Sequence, residues 1–252
     1  MRLAGVTFET ADPSPVASFW ARVLGTTTRI VDTADQVVIG VPNAGLTLGF
    51  IRLEDFRSPT WPEATYPQQV HLDIPVYDGN VAAELMGELG AVRLPSSGSC
   101  PAYADPAGHP FCLCTNPQSG AEEWPALPGL VGNIVLDCPK PQLLASLYST
   151  LLGFRERMDD AKGWVVIVPR TGTRPRLAFQ GSDGHQPGWR DSGRPQQALL
   201  KFVSDDLDDT MMRLARLGLH QVDEPSETGI PYADPAGHVL MVREPDTTTS
   251  PT

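Results

Sequence analysis

Three things are missing from this sequence, and each absence removes a class of function. Basic residues fall short, with 19 Lys and Arg against 30 Asp and Glu and a net charge of -11. A field of that sign repels phosphate backbones and anionic headgroups, so neither nucleic acid nor a membrane surface is expected as a partner. No apolar run is long enough to span a bilayer, and the stretch from Met1 to Val6 enters a strand pattern rather than a leader segment. The cytoplasm is therefore the expected compartment. Paired cysteine spacing is also missing: Cys100, Cys112, Cys114 and Cys138 form no Cys-x-x-Cys motif. Neither a zinc ribbon nor a thioredoxin-type motif is indicated, and reduced, mostly buried thiols are expected.

What is present is a repeat. The stretch Tyr103-Ala104-Asp105-Pro106-Ala107-Gly108-His109 returns unchanged 129 residues later, as Tyr232-Ala233-Asp234-Pro235-Ala236-Gly237-His238. Nearly the same step relates Phe50 to Phe179, Trp61 to Trp189, Gln68-Gln69 to Gln196-Gln197 and Gly90 to Gly218. The chain is a tandem duplication. In the repeated stretch, an Asp carboxylate accepts from following amides, Pro fixes φ and Gly permits the reversal, so Asp105 and Asp234 are expected to form turns.

Each repeat holds two units of the same kind. Val6 to Glu9 alternates as a strand, and Asp12-Pro13 then opens a helix with Val16, Phe19, Trp20, Val23 and Leu24 on one face, closed by Gly25. Three short strand-like runs follow, at 28–31, 36–41 and 46–51, which makes a βαβββ unit. A proline-rich connector over 52–69 leads to a second unit, with a strand over 70–76, a helix over 81–89 and the hairpin. The boundaries read as a first domain over 1–117, a linker over 118–129, a second domain over 130–245 and a frayed tail over 246–252. The fold class is α+β, with four βαβββ units in two tandem domains.

The run of Trp61-Pro62, Pro67-Gln68-Gln69-Val70-His71-Leu72-Asp73 and the hairpin continuing to Pro110-Phe111-Cys112-Leu113-Cys114 resembles the vicinal oxygen chelate superfamily, which takes in glyoxalase, bleomycin-resistance and dioxygenase proteins. Within it the match is to actinobacterial-type glyoxalase-like domains. The resemblance implies that each half folds its two units into one curved sheet around a cleft, helices outside. It also implies metal ligands on the first and last strands, at positions held here by Gly5, His71 and Cys112 in one half and Asn133, Leu199 and Met241 in the other. Only His71 survives as a member of that ligand set, so no divalent metal is expected as a cofactor.

Strand alternation assigns the faces. With Val6, Phe8, Leu72, Ile74, Val76, Phe111 and Leu113 under helices, the first cleft is expected to hold Thr7, Glu9, His71, Asp73, Cys112 and Cys114. Trp61 either closes the end of the sheet or walls the ligand. The second cleft is expected to hold Asn133, Val135, Asp137, Leu199, Lys201, Val203, Met241 and Arg243, with Asp137 pairing Lys201 or Arg243. Two functions fit this pattern. One is a binding protein that takes a small, partly aromatic metabolite or antibiotic in the first cleft, as monomer or homodimer. The other is a lyase or dioxygenase-type enzyme, cofactor-independent with His71 and Asp73 handling protons or built on an atypical metal site. The ligand-binding candidates are Thr7, Glu9, Trp61, His71, Asp73, Cys112 and Cys114.

Overall fold

The computed structural model describes residues 1–42, 44–61, 65–96, 100–115, 130–160, 163–170, 176–182, 188–189 and 195–245. The linker expected over 118–129 and the tail over 246–252 lie outside the described residues. The first unit comprises β1 (Arg2–Thr10), α1 (Pro13–Leu24), β2 (Arg29–Asp32), β3 (Gln36–Val41) and β4 (Leu46–Arg52). The second comprises β5 (Val70–Val76), α2 (Gly79–Glu88), β6 (Val92–Arg93), β7 (Ala102–Ala104) and β8 (Pro110–Thr115). The third repeats the first as β9 (Asn133–Cys138), α3 (Pro141–Leu152), β10 (Arg155–Asp159), β11 (Trp164–Val168) and β12 (Arg176–Gly181). The fourth repeats the second as β13 (Ala198–Val203), α4 (Leu207–Arg216), β14 (His220–Gln221), β15 (Ile230–Ala233) and β16 (Val239–Arg243).

Local chemistry sets the helix ends. Asp12 caps α1 by accepting from the Ser14 amide at 3.4 Å, Pro13 fits the first turn, and Gly25 at φ 60 stops the helix. Asp78 caps α2 and Asp206 caps α4 in the same way, through the amides of Asn80 and Asp209.

The units do not pair within their own half, which corrects the arrangement that the resemblance implied. β1 pairs antiparallel with β13, and β5 pairs antiparallel with β9. One eight-stranded sheet therefore joins the first and fourth units, and the other joins the second and third. Within each sheet the first and last strands of a unit run parallel, as β1 with β4 and β5 with β8.

Units of the same half meet instead through their helices and hairpins. Trp20 of α1 lies edge-on to Phe111 of β8 with centroids 5.1 Å apart, and its indole donates to Asp105 at 2.9 Å. Tyr148 of α3 repeats this contact in the second half, donating to Asp234 at 3.0 Å. One buried apolar cluster runs through all four units and contains the helix-side residues expected from alternation, Val6, Phe8, Leu72, Ile74, Val76, Phe111 and Leu113 among them.

The two hairpin aspartates are turn-formers, as the sequence indicates. Asp105 Oδ1 accepts from the amides of Ala107 and His109, both at 2.9 Å, and Asp234 Oδ1 accepts from those of Ala236 and His238 at 2.8 and 3.0 Å. Each aspartate also holds the imidazole of the histidine that ends its hairpin. His109 in turn donates through Nε2 to the Glu9 carbonyl at 2.8 Å, so the hairpin of the second unit locks onto the first strand of the first.

Candidate functional site

Pairing across the halves redistributes the expected site. Thr7 and Glu9 lie on the sheet of the first and fourth units, whereas His71, Asp73, Cys112 and Cys114 lie on the other. The first group of candidates is thus split between two clefts. In place of Thr7 and Glu9, His71 gains Asn133 and Asp137, because β9 is the neighbour of β5 and sets Val135 opposite His71 and Asn133 opposite Asp73.

His71 is the centre of this second-sheet site. Its Nε2 stands 3.6 Å from Asp73 Oδ1 and its Nδ1 stands 3.7 Å from Asp137 Oδ1, with all three side chains buried. Asn133 supports Asp73 by donating to Oδ2 at 2.8 Å, and Gln68 supports Asp137 by donating to its Oδ2 at 2.8 Å. Burial alone pulls the imidazole downward, but hydrogen bonding to Asp73 and Cys112 and the charges of Asp73 and Asp137 outweigh it and hold His71 well above its ordinary value. Asp137 goes up as well, because burial outweighs His71 and Gln68 there.

Three polar atoms of this cleft are buried with no hydrogen-bond partner: His71 Nδ1, Asn133 Oδ1 and Asp137 Oδ1. Beside them lies an apolar wall of Val135, Val166, Val168 and Ala178 with Trp164 packed against it. Cys112 is a free, half-buried thiol whose strand neighbour across the ladder is Asp73. The donor atoms of His71, Asp73 and Cys112 lie within 4.8 Å of one another, close enough for one ion. Glu9, a candidate for the same cleft, is on the other sheet and is not part of this group.

The remaining candidates have structural partners. Cys114 is bonded to Cys100, which corrects the expectation of reduced thiols throughout and takes its sulfur out of the cleft chemistry. Trp61 donates from its indole to the Pro95 carbonyl, tying the connector to the segment after β6. Cys138 is buried, and burial pushes its thiol up to about 12, an unreactive form at neutral pH. Cys138 lines a groove of about 450 Å³ with Leu143, Leu147 and Leu217 on the helix side, away from both clefts.

The other cleft has a different character. On β1 and β4 it offers Thr7, Glu9, Thr47 and Gly49, and on β13 and β16 it offers Leu199, Lys201, Met241 and Arg243. Leu199, Val239 and Met241 cluster there with Ile51 and Trp189. Burial lifts the Glu9 carboxyl to about 7, the charge of His109 only partly opposing it. Asp137, the acid expected to neutralise Lys201 or Arg243, is on the opposite sheet.

The glyoxalase-like domain family matches residues 5–114 and again residues 133–243. The chain belongs to the glyoxalase-like domain family. Two tandem copies of that domain, with four helices and two mixed sheets among the described residues, place it in the vicinal oxygen chelate superfamily. No curated protein matches the sequence. Among solved structures, glyoxalase I from Zea mays is similar at a TM-score of 0.61 and 14% identity, over 96% of this chain and 91% of that one. A Bacillus subtilis structure described as a candidate dioxygenase is similar at 0.62 and 16% identity, over 97% of this chain and 86% of that one. These likenesses carry the glyoxalase-like fold over the whole length and leave the chemistry to the clefts. Among the described residues no helix of this family member is long and apolar enough to cross a membrane.

Proposed function

We propose that the protein binds a small, partly aromatic metabolite or antibiotic in the cleft centred on His71, without a resident metal. The reading is carried by the three buried polar atoms that the fold leaves unpartnered, His71 Nδ1, Asn133 Oδ1 and Asp137 Oδ1. A buried polar group without a hydrogen bond costs about 1–3 kcal/mol; His71 Nδ1 and Asp137 Oδ1 face each other at 3.7 Å, too far for a hydrogen bond, so a ligand group that bonds to them and to Asn133 Oδ1 would be held there. Two of the three are acceptors, which calls for a ligand with amine, amide or hydroxyl donors. The Val135, Val166, Val168 and Trp164 wall takes its apolar or aromatic body.

A second reading is favoured by one observation, the convergence of His71, Asp73 and Cys112 within 4.8 Å. Three protein ligands are what a catalytic zinc uses, and a divalent ion there would act as a Lewis acid on a bound carbonyl or phosphoryl oxygen. His71, Asp73 and Cys112 would hold it, with Asn133 steadying Asp73. The metal-free reading ranks first because Asn133 Oδ1 and Asp137 Oδ1, which are not in that donor set, still call for a ligand that donates to them. In a cofactor-independent enzyme of this fold, His71 and Asp73 would be the pair that moves protons.

The cytoplasm is the compartment we propose, with a small molecule rather than nucleic acid or membrane as partner. One chain supplies the strands of both sheets, which supports a monomer and leaves a homodimer as the alternative. There Cys100 and Cys114 would exchange with the thiol pool.

The test combines elemental analysis of protein purified without chelator with a thermal-shift screen of amine- and hydroxyl-bearing aromatic natural products. The expected results are no stoichiometric metal and a hit whose affinity drops roughly five- to a hundredfold in His71→Ala. About one zinc per chain, lost in His71→Ala and Cys112→Ser, would instead establish the second reading. Hits that bind wild type and His71→Ala equally would remove the site from this cleft.

A further inference from the structure

The other cleft carries a second, independent set of groups. Lys201 is half-buried on β13, and burial pulls its ammonium below its ordinary value, with Arg243 reinforcing the effect. No carboxylate among the described residues pairs with it. Arg243 sits on the next strand, diagonal to Lys201 through the Lys201–Met241 and Val203–Arg243 register. A half-buried cation beside a second cation, with no acid paired to it among the described residues, is stabilised by an anion from outside.

Thr7 supplies a second observation. Its hydroxyl is buried, at 1% exposure, and has no hydrogen-bond partner. It stands on the same face of β1, one step along from Gly5, which is the ladder partner of Lys201. On β1 and β4 the small residues Gly5, Thr47 and Gly49 flank it on one side, and a Cβ on Gly49 would meet Thr7 Oγ1 at 2.6 Å. Beside these groups the same face is apolar: Leu199 is the ladder partner of Thr7 and Met241 that of Lys201, and both cluster with Ile51 and Trp189. A carboxylate has an oxygen for the ammonium and another for the hydroxyl, and its apolar body then reaches that cluster. Glu9 lies on this face too, on β1 beyond Thr7, where its carboxyl disfavours a second negative charge on the ligand. A monoanion fits better than a phosphate.

We propose that the cleft between β1, β4, β13 and β16 is a binding site for a small monocarboxylate with an apolar body, its carboxylate held by Lys201 and the Thr7 hydroxyl and its body laid on Leu199, Met241 and Trp189. It is a site distinct from the His71 cleft.

The probes are hexanoate, benzoate and phenylacetate, each compared by calorimetry with its uncharged amide, and inorganic phosphate. At least one carboxylate is expected to bind below about 10 mM, while its amide and phosphate bind at least ~tenfold more weakly. Lys201→Met is expected to weaken that carboxylate ~tenfold or more, and Lys201→Arg to retain most of the affinity. His71→Ala should leave it unchanged, which separates this site from the one proposed above. Lys201→Met should also melt higher than wild type, because it removes a half-buried cation with no acid beside it. Should Lys201→Met not fold, Thr7→Val provides the second reading, with an expected loss of about threefold or more. The proposal is overturned if no carboxylate binds at that concentration, if amides or phosphate bind as well as carboxylates, or if affinity follows His71 and not Lys201 or Thr7.

Discussion

Gln69 and Gln197, 128 residues apart, each accept the other's backbone amide through the side-chain oxygen, at 3.1 and 3.0 Å. The exchange is reciprocal because the residues are equivalent positions of the two repeats, each just ahead of the strand that crosses to the other half. Their amide nitrogens go on to carbonyls of the opposite connector: Gln69 to Pro195 at 2.7 Å and Gln197 to Pro67 at 2.9 Å. Both side chains are buried, so these bonds form without competition from water.

Replacing Gln69 or Gln197 by Ala therefore orphans a buried amide and a carbonyl. Each substitution should lower stability by about 1–3 kcal/mol, and the pair should depart from the sum because the two residues share one hydrogen-bond network. Urea denaturation measures both; a loss under about 0.5 kcal/mol for each would show that the crossing is held by strand pairing alone.

The hairpin anchors can be tested with a smaller change. Tyr148→Phe deletes only the hydroxyl that donates to Asp234, in a pocket where both groups are buried. A hydrogen bond to a charged acceptor is worth about 1.5–3 kcal/mol, and a loss of that size is expected in the denaturation midpoint. Trp20→Phe, which removes the matching bond to Asp105, should cost more because it also leaves a cavity beside Phe111.

Glu9 gives the protein a pH dependence of known sign. Its folded carboxyl titrates at about 7 against an ordinary 4.5, so the folded state binds more protons than the unfolded state between those values. Stability from this group is full below 4.5, falls as pH rises, and is lost above 7. Glu9→Gln should remove that slope and stabilise the protein by up to about 3 kcal/mol at pH 8–9, with little effect below the ordinary carboxylate range. Melting curves across pH would contradict the burial of this carboxyl if wild type and variant ran parallel.

The Cys100–Cys114 bond closes a loop with a sequence separation of 14. Loop-closure entropy for that length corresponds to about 3 kcal/mol. Cys100→Ser, or wild type under dithiothreitol, should lose stability of that order, and the two losses should coincide. A reductant effect that persists in Cys100→Ser would point to another thiol.

Much of the local structure was legible in the sequence because it is written in local terms. The Asp12-Pro13 helix start, the Gly25 stop, the turn chemistry of Asp105 and the helix-side apolar residues all depend on neighbours a few positions away. The pairing of units was not legible, because β1 and β9 begin equivalent units, as do β5 and β13. Either choice of partner buries the same faces, and only three-dimensional packing of Trp20 on Phe111 and Tyr148 on Phe202 separates them. The candidate site inherited that ambiguity. His71, Asp73 and Cys112 belong to one unit and stayed together, whereas Asn133 and Asp137 replaced Thr7 and Glu9. The disulfide was not legible for a similar reason, since Cys100 precedes β7 and meets Cys114 only after the hairpin folds back.

The crossing of units between sheets also bears on how the two clefts came to differ. A single half has two strands, β1 and β5, that lack their central neighbours, and two identical halves could satisfy both by associating. In such a homodimer every residue occurs in both clefts, and assembly follows mass action. Tethering the halves makes the same assembly unimolecular, with the partner always at high effective concentration. It also releases the clefts from having to be copies, so that one can gather Asp73 and Asp137 around His71 while the other sets Lys201 beside Arg243, each free to take a ligand of opposite polarity.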